Sequence, residues 1–238
     1  MNTINLINGD CLDEMKKMED KSIDVIFCDL PYGQTNCKWD TLIDLDGFWK
    51  EVMRIKKLHT PIIMTCTTKF GASLINSAPK KCPFRYDLIW CKSAAAGFLR
   101  AKKAPMRKHE MIYLFYEREP FYDISSHKHK FLGERETNQK NGEMYGRGNK
   151  KCIEGKYDPP LPTSLLEIKS TRGKHSTEKP VGLMEWILKY YSKVDDVIFD
   201  PTMGSGSMGV ACKNMNRKFI GIEMDEEIFK VAEGRIKD

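Results

Sequence analysis

Residues 197–209 read Val-Ile-Phe-Asp-Pro-Thr-Met-Gly-Ser-Gly-Ser-Met-Gly. The first four, VIFD, have the unbroken apolar character of a strand covered on both faces. They run into a loop in which Gly204, Gly206 and Gly209 keep the spacing G-x-G-x-x-G, and Glu223 ends the next apolar run 17 residues after Gly206. Glycines so placed let the backbone turn tightly and approach a nucleoside cofactor, and an acid after the following strand can accept both ribose hydroxyls. Asp200 stands immediately before the loop, where a carboxylate repels a pyrophosphate and attracts the ammonium group of an amino-acid-bearing cofactor. S-adenosylmethionine carries that group and NAD does not. The plain alternative is a tight strand-to-helix turn with no ligand; the coincidence of turn, acid and spacing weighs against it.

Working outward, six more β-type runs appear: Ile4 to Asn8, Asp24 to Asp29, Pro61 to Cys66, Arg85 to Trp90, Met111 to Tyr116 and Lys218 to Glu223. Helical patterns fall between several of them. Phe48, Val52 and Ile55 share a face within Asp44 to Lys57, as do Ile228, Val231, Ala232 and Ile236 within Asp225 to Ile236. Alternating strand and helix over 238 residues predicts one α/β domain built on a doubly wound, seven-stranded, mostly parallel sheet of the Rossmann-like kind. The alternation lapses over 117–174, which mixes glycine, proline and charge without a period. That stretch is expected to be a small irregular insert, leaving 1–116 and 175–238 as the main domain.

The run Ile23 to Cys28 ends in Asp29-Leu30-Pro31-Tyr32. Ligands of open α/β sheets bind at the carboxyl ends of strands, so these residues should face the same crevice as the glycine loop. An exocyclic amine on a nucleobase is a poor nucleophile, because its lone pair is delocalised into the ring. Two acceptors on its N–H groups can pull the nitrogen toward tetrahedral geometry and aim the lone pair at an electrophilic methyl. Asp29 offers a side-chain acceptor and Leu30 a carbonyl, whose direction Pro31 restricts by forcing Leu30 to be extended. Tyr32 offers a flat face for a base taken out of the stack. On these four residues alone, the plain reading of a strand ending in an Asp-x-Pro turn stays ahead.

Together with the glycine loop, this tetrapeptide resembles the D-P-P-Y motif of DNA amino-methyltransferases. INGDC, PIIMTC, WCKSAAAG, KHEMIYLFYE and HSTEKPVGLMEW leading into VIFDPTMGSG look like successive blocks of that family. Their order, catalytic motif first and cofactor loop last, is similar to the permuted β-class arrangement. The resemblance covers most of the chain outside 117–174 and implies a methyltransferase fold that uses S-adenosylmethionine. It implies that Asp29, Leu30, Pro31 and Tyr32 are catalytic. Asp10, Asp29, Lys179, Asp200, Thr202, Gly204, Ser205, Gly206 and Glu223 line the cofactor site on the same reading, with Asp10 toward the adenine and Lys179 near the methionine carboxylate. Asp10 fits equally well as the cap of a helix over Leu12 to Met18, and Lys179 as a solvated helix-start residue. Leu30 replaces the family's first proline, and Thr202 with Met203 replaces the aromatic that usually follows Asp-Pro. An aspartate opening the motif favours adenine N6 over cytosine N4, since members acting on cytosine more often open with serine. Double-stranded DNA is the implied partner, with a homodimer as a further expectation.

Residues 100–174 hold 17 Lys and Arg against 10 Asp and Glu, so the +6 net charge is concentrated there. If the central insert recognises the target, Arg135, Lys140, Arg147, Lys150 and Lys151 would neutralise phosphates, although five cations on a loop are more often simply solvated. Trp39 belongs either to a lip over the base or to the core. His127 and His129 fit a solvated basic loop better than a metal site, and no metal is expected. No apolar run approaches the about 20 residues that span a bilayer, and eight cysteines form no C-x-x-C, which points to a reduced cytoplasmic protein. The remaining alternatives are a methyltransferase acting on cytosine N4, RNA or protein, and a binding module that has lost catalysis.

Overall fold

The computed structural model describes residues 3–33, 41–136, 151–170 and 178–237, the side chains of 131–136 and 151–155 excepted. The chain forms two compact units, one of Met1–Tyr122 with Ser164–Asp238 and one of Asp123–Thr163.

In the larger unit the strands β1 (Ile4–Asn8), β2 (Val25–Cys28), β3 (Ile62–Cys66), β4 (Phe84–Ala96) and β5 (Arg107–Phe115) come first, and β8 (Leu165–Leu166), β9 (Val197–Asp200) and β10 (Lys218–Glu223) follow. They form one sheet in the order β1-β10-β9-β2-β3-β5-β4-β8. β5 runs antiparallel to both its neighbours and every other pair is parallel. The carboxyl ends of all strands but β5, and the start of β5, therefore share one edge. The helices are α1 (Cys11–Met15), α2 (Leu45–Ile55), α3 (Thr68–Ser77), α4 (Val181–Tyr191), α5 (Ser207–Asn214) and α6 (Glu226–Lys237).

Alternation along the central strands explains the double winding. On β2, Val25 and Phe27 point into the cluster that holds Leu183, Ile187, Met208, Ala232 and Ile236 of α4 to α6. Ile26 and Cys28 point the other way, into the cluster of Met15, Phe48, Val52, Ile55, Phe70 and Leu74 from α1 to α3. A strand with apolar layers on both faces needs an apolar residue at every covered position, as VIFC supplies and as Val197–Phe199 supply before Asp200 at the carboxyl end. The i, i+4, i+7 stripe of α2 is the face it buries, with Phe48, Val52 and Ile55 all fully covered.

All seven expected runs are strands of this sheet, and an eighth strand, β8, is added. Leu166 is buried, and the indole N–H of Trp90 donates to the Ile168 carbonyl at 2.8 Å. Consequently 117–122 and 164–170 belong with the larger unit, and the compact part of the central stretch is Asp123–Thr163. Nor is that part irregular: β6 (Lys128–Glu136) and β7 (Lys151–Asp158) pair antiparallel from Lys128 opposite Asp158 to Glu136 opposite Lys151. His127 is buried, not solvated, its Nδ1 donating to the Pro159 carbonyl at 2.9 Å. The His129 ring lies 4.2 Å from that of Tyr157.

Candidate active site

β2 and β9 are adjacent parallel strands, with Val25 opposite Ile198 and Ile26 opposite Phe199. The tetrapeptide at 29–32 and the loop at 200–206 therefore leave the same edge side by side. The hydroxyl of Thr202 donates to the Asp29 carbonyl at 3.2 Å across a sequence gap of 173 residues, and its N–H donates to Asp200 Oδ1 at 3.1 Å. Thr202 is thus the bridge between the two motifs.

On the loop side, Asp200 is almost wholly buried. Burial pushes its carboxyl well above the usual carboxylate range; the Thr202 N–H opposes this in part, while Asp29 and Glu223 add to it. Glu223 is raised too, by burial first, against N–H groups of Asp225 and Gly204 that bond its oxygens at 2.9 and 3.0 Å. Gly204 has φ +52°, and a Cβ there would meet nothing within 4 Å, so open space faces the loop at that residue. Gly206, at φ +80°, begins α5, and a Cβ on it would come within 3.2 Å of the Ala232 backbone; glycine is required by the turn and by the approach of α6. Arg235 donates to both the carbonyl and the hydroxyl of Ser205, at 2.6 and 2.7 Å, and to Glu178 at 2.8 Å. Asp10 caps α1, with Oδ1 accepting from the N–H groups of Leu12 and Asp13 at 2.9 and 3.1 Å. It lies after β1, whose Asn8 side chain bonds the Glu223 carbonyl at 2.8 Å.

The other side is an array of alternating charge. Asp29 Oδ2 pairs with Lys179 at 2.5 Å; Lys179 also pairs with Glu110 Oε1 at 3.0 Å, and Glu110 Oε2 with Lys92 at 2.5 Å. Lys179 is mostly buried and held by two carboxylates, so the solvated reading does not describe it. Burial disfavours its ammonium, but Asp29 and Glu110 outweigh that and hold its pKa above the ordinary lysine value. For Glu110, burial acts to raise the pKa; Lys179 and Lys92 overcome it, and the carboxyl sits below its usual range. Thr65 donates to Asp29 Oδ1. Tyr32 donates to the same oxygen at 2.8 Å, with Thr65 Oγ1 and Glu110 Oε1 each 3.2 Å from its hydroxyl. Burial, reinforced by the two acids, lifts the Tyr32 pKa well above normal, so it remains a phenol and a donor. Its ring centroid is 5.2 Å from that of Phe70. Leu30 is buried in the core beneath the motif.

Thr65, Lys92 and Glu110 were not singled out by sequence. Thr65 is a lone polar residue in the apolar run of β3, a signal that could have found it. Lys92 and Glu110 lie where the apolar runs of β4 and β5 give way to polar sequence at the same edge, and no local pattern separates them from the polar residues beside them. Of the residues expected on DNA, Trp39, Lys140, Arg147 and Lys150 lie outside the described residues. Arg135 and Lys151 have backbone positions in β6 and β7, opposite Cys152 and Glu136.

An acid and an open glycine loop at one strand end thus stand beside an Asp-Leu-Pro-Tyr turn at the next, on one edge of a mostly parallel α/β sheet. The chain belongs to the N6/N4 DNA methylase family, whose model matches residues 23–234. It is 28% identical to the type II methyltransferase M.HinfI of Haemophilus influenzae, over 100% of this chain and 69% of that protein. It is 27% identical to the DNA adenine methyltransferase YhdJ of Escherichia coli, over 97% and 82%. Among solved structures, the M1.HpyAVI–SAM complex superposes with a TM-score of 0.66 at 21% identity, covering 98% of this chain and 100% of that one. The cytosine-N4-specific PvuII methyltransferase gives 0.72 at 16%, covering 100% and 88%. The protein is an S-adenosylmethionine-dependent DNA methyltransferase, and the donor set fits that cofactor: a buried and a half-buried acid with no cation bonded to either among the described residues, next to a glycine with open space before it.

Proposed function

We propose that this chain methylates the exocyclic N6 of adenine in duplex DNA, with the target base extruded into the pocket formed by residues 29–32. The observation that carries this reading is the hydrogen bond from Thr202 to the Asp29 carbonyl, which joins the cofactor loop to the acceptor motif. S-adenosylmethionine, held by Asp200, Glu223 and the loop through Gly204, supplies an electrophilic methyl on sulfur. Asp10, Ser205 and Gly206 complete its surroundings, and Lys179 stands behind Asp29. The remaining chemistry is positioning. A carboxylate offers about four acceptor sites; Tyr32, Thr65 and Lys179 fill three on Asp29, and one is left for an amine N–H. The Leu30 carbonyl takes the second N–H. The nitrogen, no longer flat, presents its lone pair; the new C–N bond would replace the methyl–sulfur bond, whose electron pair stays on sulfur as a neutral thioether, and the proton that the amine sheds has Asp29 as its neighbouring acceptor. Tyr32, its hydroxyl anchored and one flank covered by Phe70, stacks on the base with the rest of its ring.

The unit Asp123–Thr163 is proposed to read the target sequence, with Arg135, Lys140, Arg147, Lys150 and Lys151 on phosphates and Trp39 near the base. Incubation of unmethylated bacterial DNA with tritium-labelled cofactor, followed by digestion to nucleosides, tests the activity. The label is expected in N6-methyladenine; label solely in N4-methylcytosine would reverse the assignment.

A further inference from the structure

The concentration of positive charge over 100–174 is uneven. Arg100, Lys102, Lys103, Arg107 and Lys108 fall within nine residues that contain no acid, whereas 109–174 carries 12 Lys and Arg against 10 Asp and Glu. The structure places those five cations on the hairpin between β4 and β5. Because β4 runs with the parallel strands and β5 against them, this hairpin leaves the sheet at the catalytic edge. Every residue from 93 to 109 is exposed. At the tip, Gly97 turns at φ +91° into a single 3-10 turn, Phe98–Arg100, closed by bonds from the N–H of Arg100 to Gly97 and of Ala101 to Phe98, both 3.0 Å. That turn presents Leu99 at 99% exposure and Phe98 at 80%, the two most exposed large apolar side chains among the described residues. The root is fixed: Ser93 and Ser170 exchange hydrogen bonds at 3.3 and 2.9 Å, and Lys92 and Glu110 on its two strands are part of the Asp29 array.

Two neighbouring apolar side chains in water, close in sequence to five cations and carried on a hairpin whose ladder is interrupted between Cys91 and Ala96 but hydrogen-bonded at its root, have no folding role, and the acid-free charge opposes pairing with a second copy of the same tip. A polyanion with apolar surface between its charges fits both features. B-DNA has phosphates along a major groove about 12 Å wide and about 8.5 Å deep, which admits a two-stranded ribbon and exposes base edges and methyl groups inside. The six residue steps from Lys92 to Phe98, extended as far as Ala96, reach about 20 Å at most, enough to enter the groove beside a base held at the root. We propose that the β4–β5 hairpin is a docking ribbon for the substrate duplex: Arg100, Lys102, Lys103, Arg107 and Lys108 neutralise phosphates while Phe98 and Leu99 press against bases. This rests on the DNA-methylation reading above and assigns DNA binding to a segment outside the central unit.

Two variants of the full chain test it, Phe98→Ala with Leu99→Ala, and Arg100→Ala with Lys102→Ala and Lys103→Ala. Binding is read by fluorescence anisotropy on a mixed-sequence duplex over a range of salt, and transfer by label incorporated into unmethylated bacterial DNA. The triple variant should lower duplex affinity and reduce the slope of log K against log salt by about 2 to 3, near 0.9 for each phosphate no longer neutralised. The double variant should keep the wild-type slope and raise the KM for DNA at least tenfold. Both should bind S-adenosylmethionine and melt as the wild type does. Wild-type slope, affinity and KM in both variants would overturn the proposal, as would a double variant that loses self-association in sedimentation but no DNA affinity. Because the binding arm needs no turnover, a wild type that bound duplex through this hairpin but labelled no DNA would sink the methylation reading and not the hairpin.

Discussion

Two ends of one crevice treat their acids in opposite ways. Around the loop, the carboxylates of Asp200 and Glu223 accept hydrogen bonds from backbone N–H groups, and burial raises both pKa values. Around the tetrapeptide, Asp29 and Glu110 are interleaved with Lys92 and Lys179. Among the described residues, the first end has two acids with no cation bonded to either, and the charges of the second sum to zero. A sulfonium and an ammonium gain from the former, whereas an uncharged base needs directed acceptors without a net field. The charge balance at each end matches the ligand proposed for it.

The largest break in this contrast should come from Asp29→Ala. Transfer should fall by at least about a thousandfold, roughly 4 kcal/mol of barrier, in single-turnover assays with labelled cofactor, and unchanged turnover would show the acceptor to be elsewhere. Glu110→Ala unbalances the neutral end by leaving two lysines facing one acid. Breaking a buried pair in this way costs about 3–5 kcal/mol, read by urea denaturation at pH 7. Glu110 is held below its usual value of 4.5, so its contribution is fully present above that pH and is lost as pH falls through the lower folded value. The gap between variant and wild type should accordingly close in strong acid.

At the charged end, Asp200→Asn should weaken cofactor binding about 10- to 100-fold, the worth of a hydrogen bond to a charged group. Only ionised Asp200 attracts the ammonium, and its pKa is raised, so wild-type affinity should climb as pH rises from the ordinary carboxylate range through that higher value. Calorimetry across this range should find a shallower rise in the Asn variant, since Glu223 still titrates, and parallel profiles would refute the assignment. The smallest effect belongs to the bridge. Thr202→Val removes one 3.2 Å bond to the Asp29 carbonyl, worth about 1 kcal/mol. A drop of a few fold in transfer rate with intact cofactor affinity is expected.

The sheet was legible because both of its faces are covered. Strands such as VIFC, and VIFD up to its terminal Asp200, must then be apolar wherever they are covered, a signature that stands out against the mixed sequence around them. β6 and β7 (KHKFLGERE and KCIEGKYD) have no such run, and β8 has two residues, too few for any period. The two motifs were legible as sequence, and the structure sets them side by side, while their wiring was not legible. Lys179 meets Asp29 across 150 residues, and no local pattern distinguishes such a lysine from a solvated one. Asp10 illustrates the converse, since its capping role was readable from its own neighbours and is what the structure shows. Averaging charge over 100–174 hid the hairpin, because the five cations at its tip were pooled with a nearly balanced stretch.

The seam between β2 and β9 also has a temporal side. β2 is synthesised early and finds its neighbour on that side only after about 170 further residues exist, at roughly 5–20 residues per second on the ribosome. Until then, the strand that ends in Asp29 keeps a bare edge flanked by apolar side chains on both faces. Such non-local closure is slow and prone to mispairing. Expression of this enzyme should therefore depend on chaperone supply and growth temperature more than the local regularity of its helices suggests.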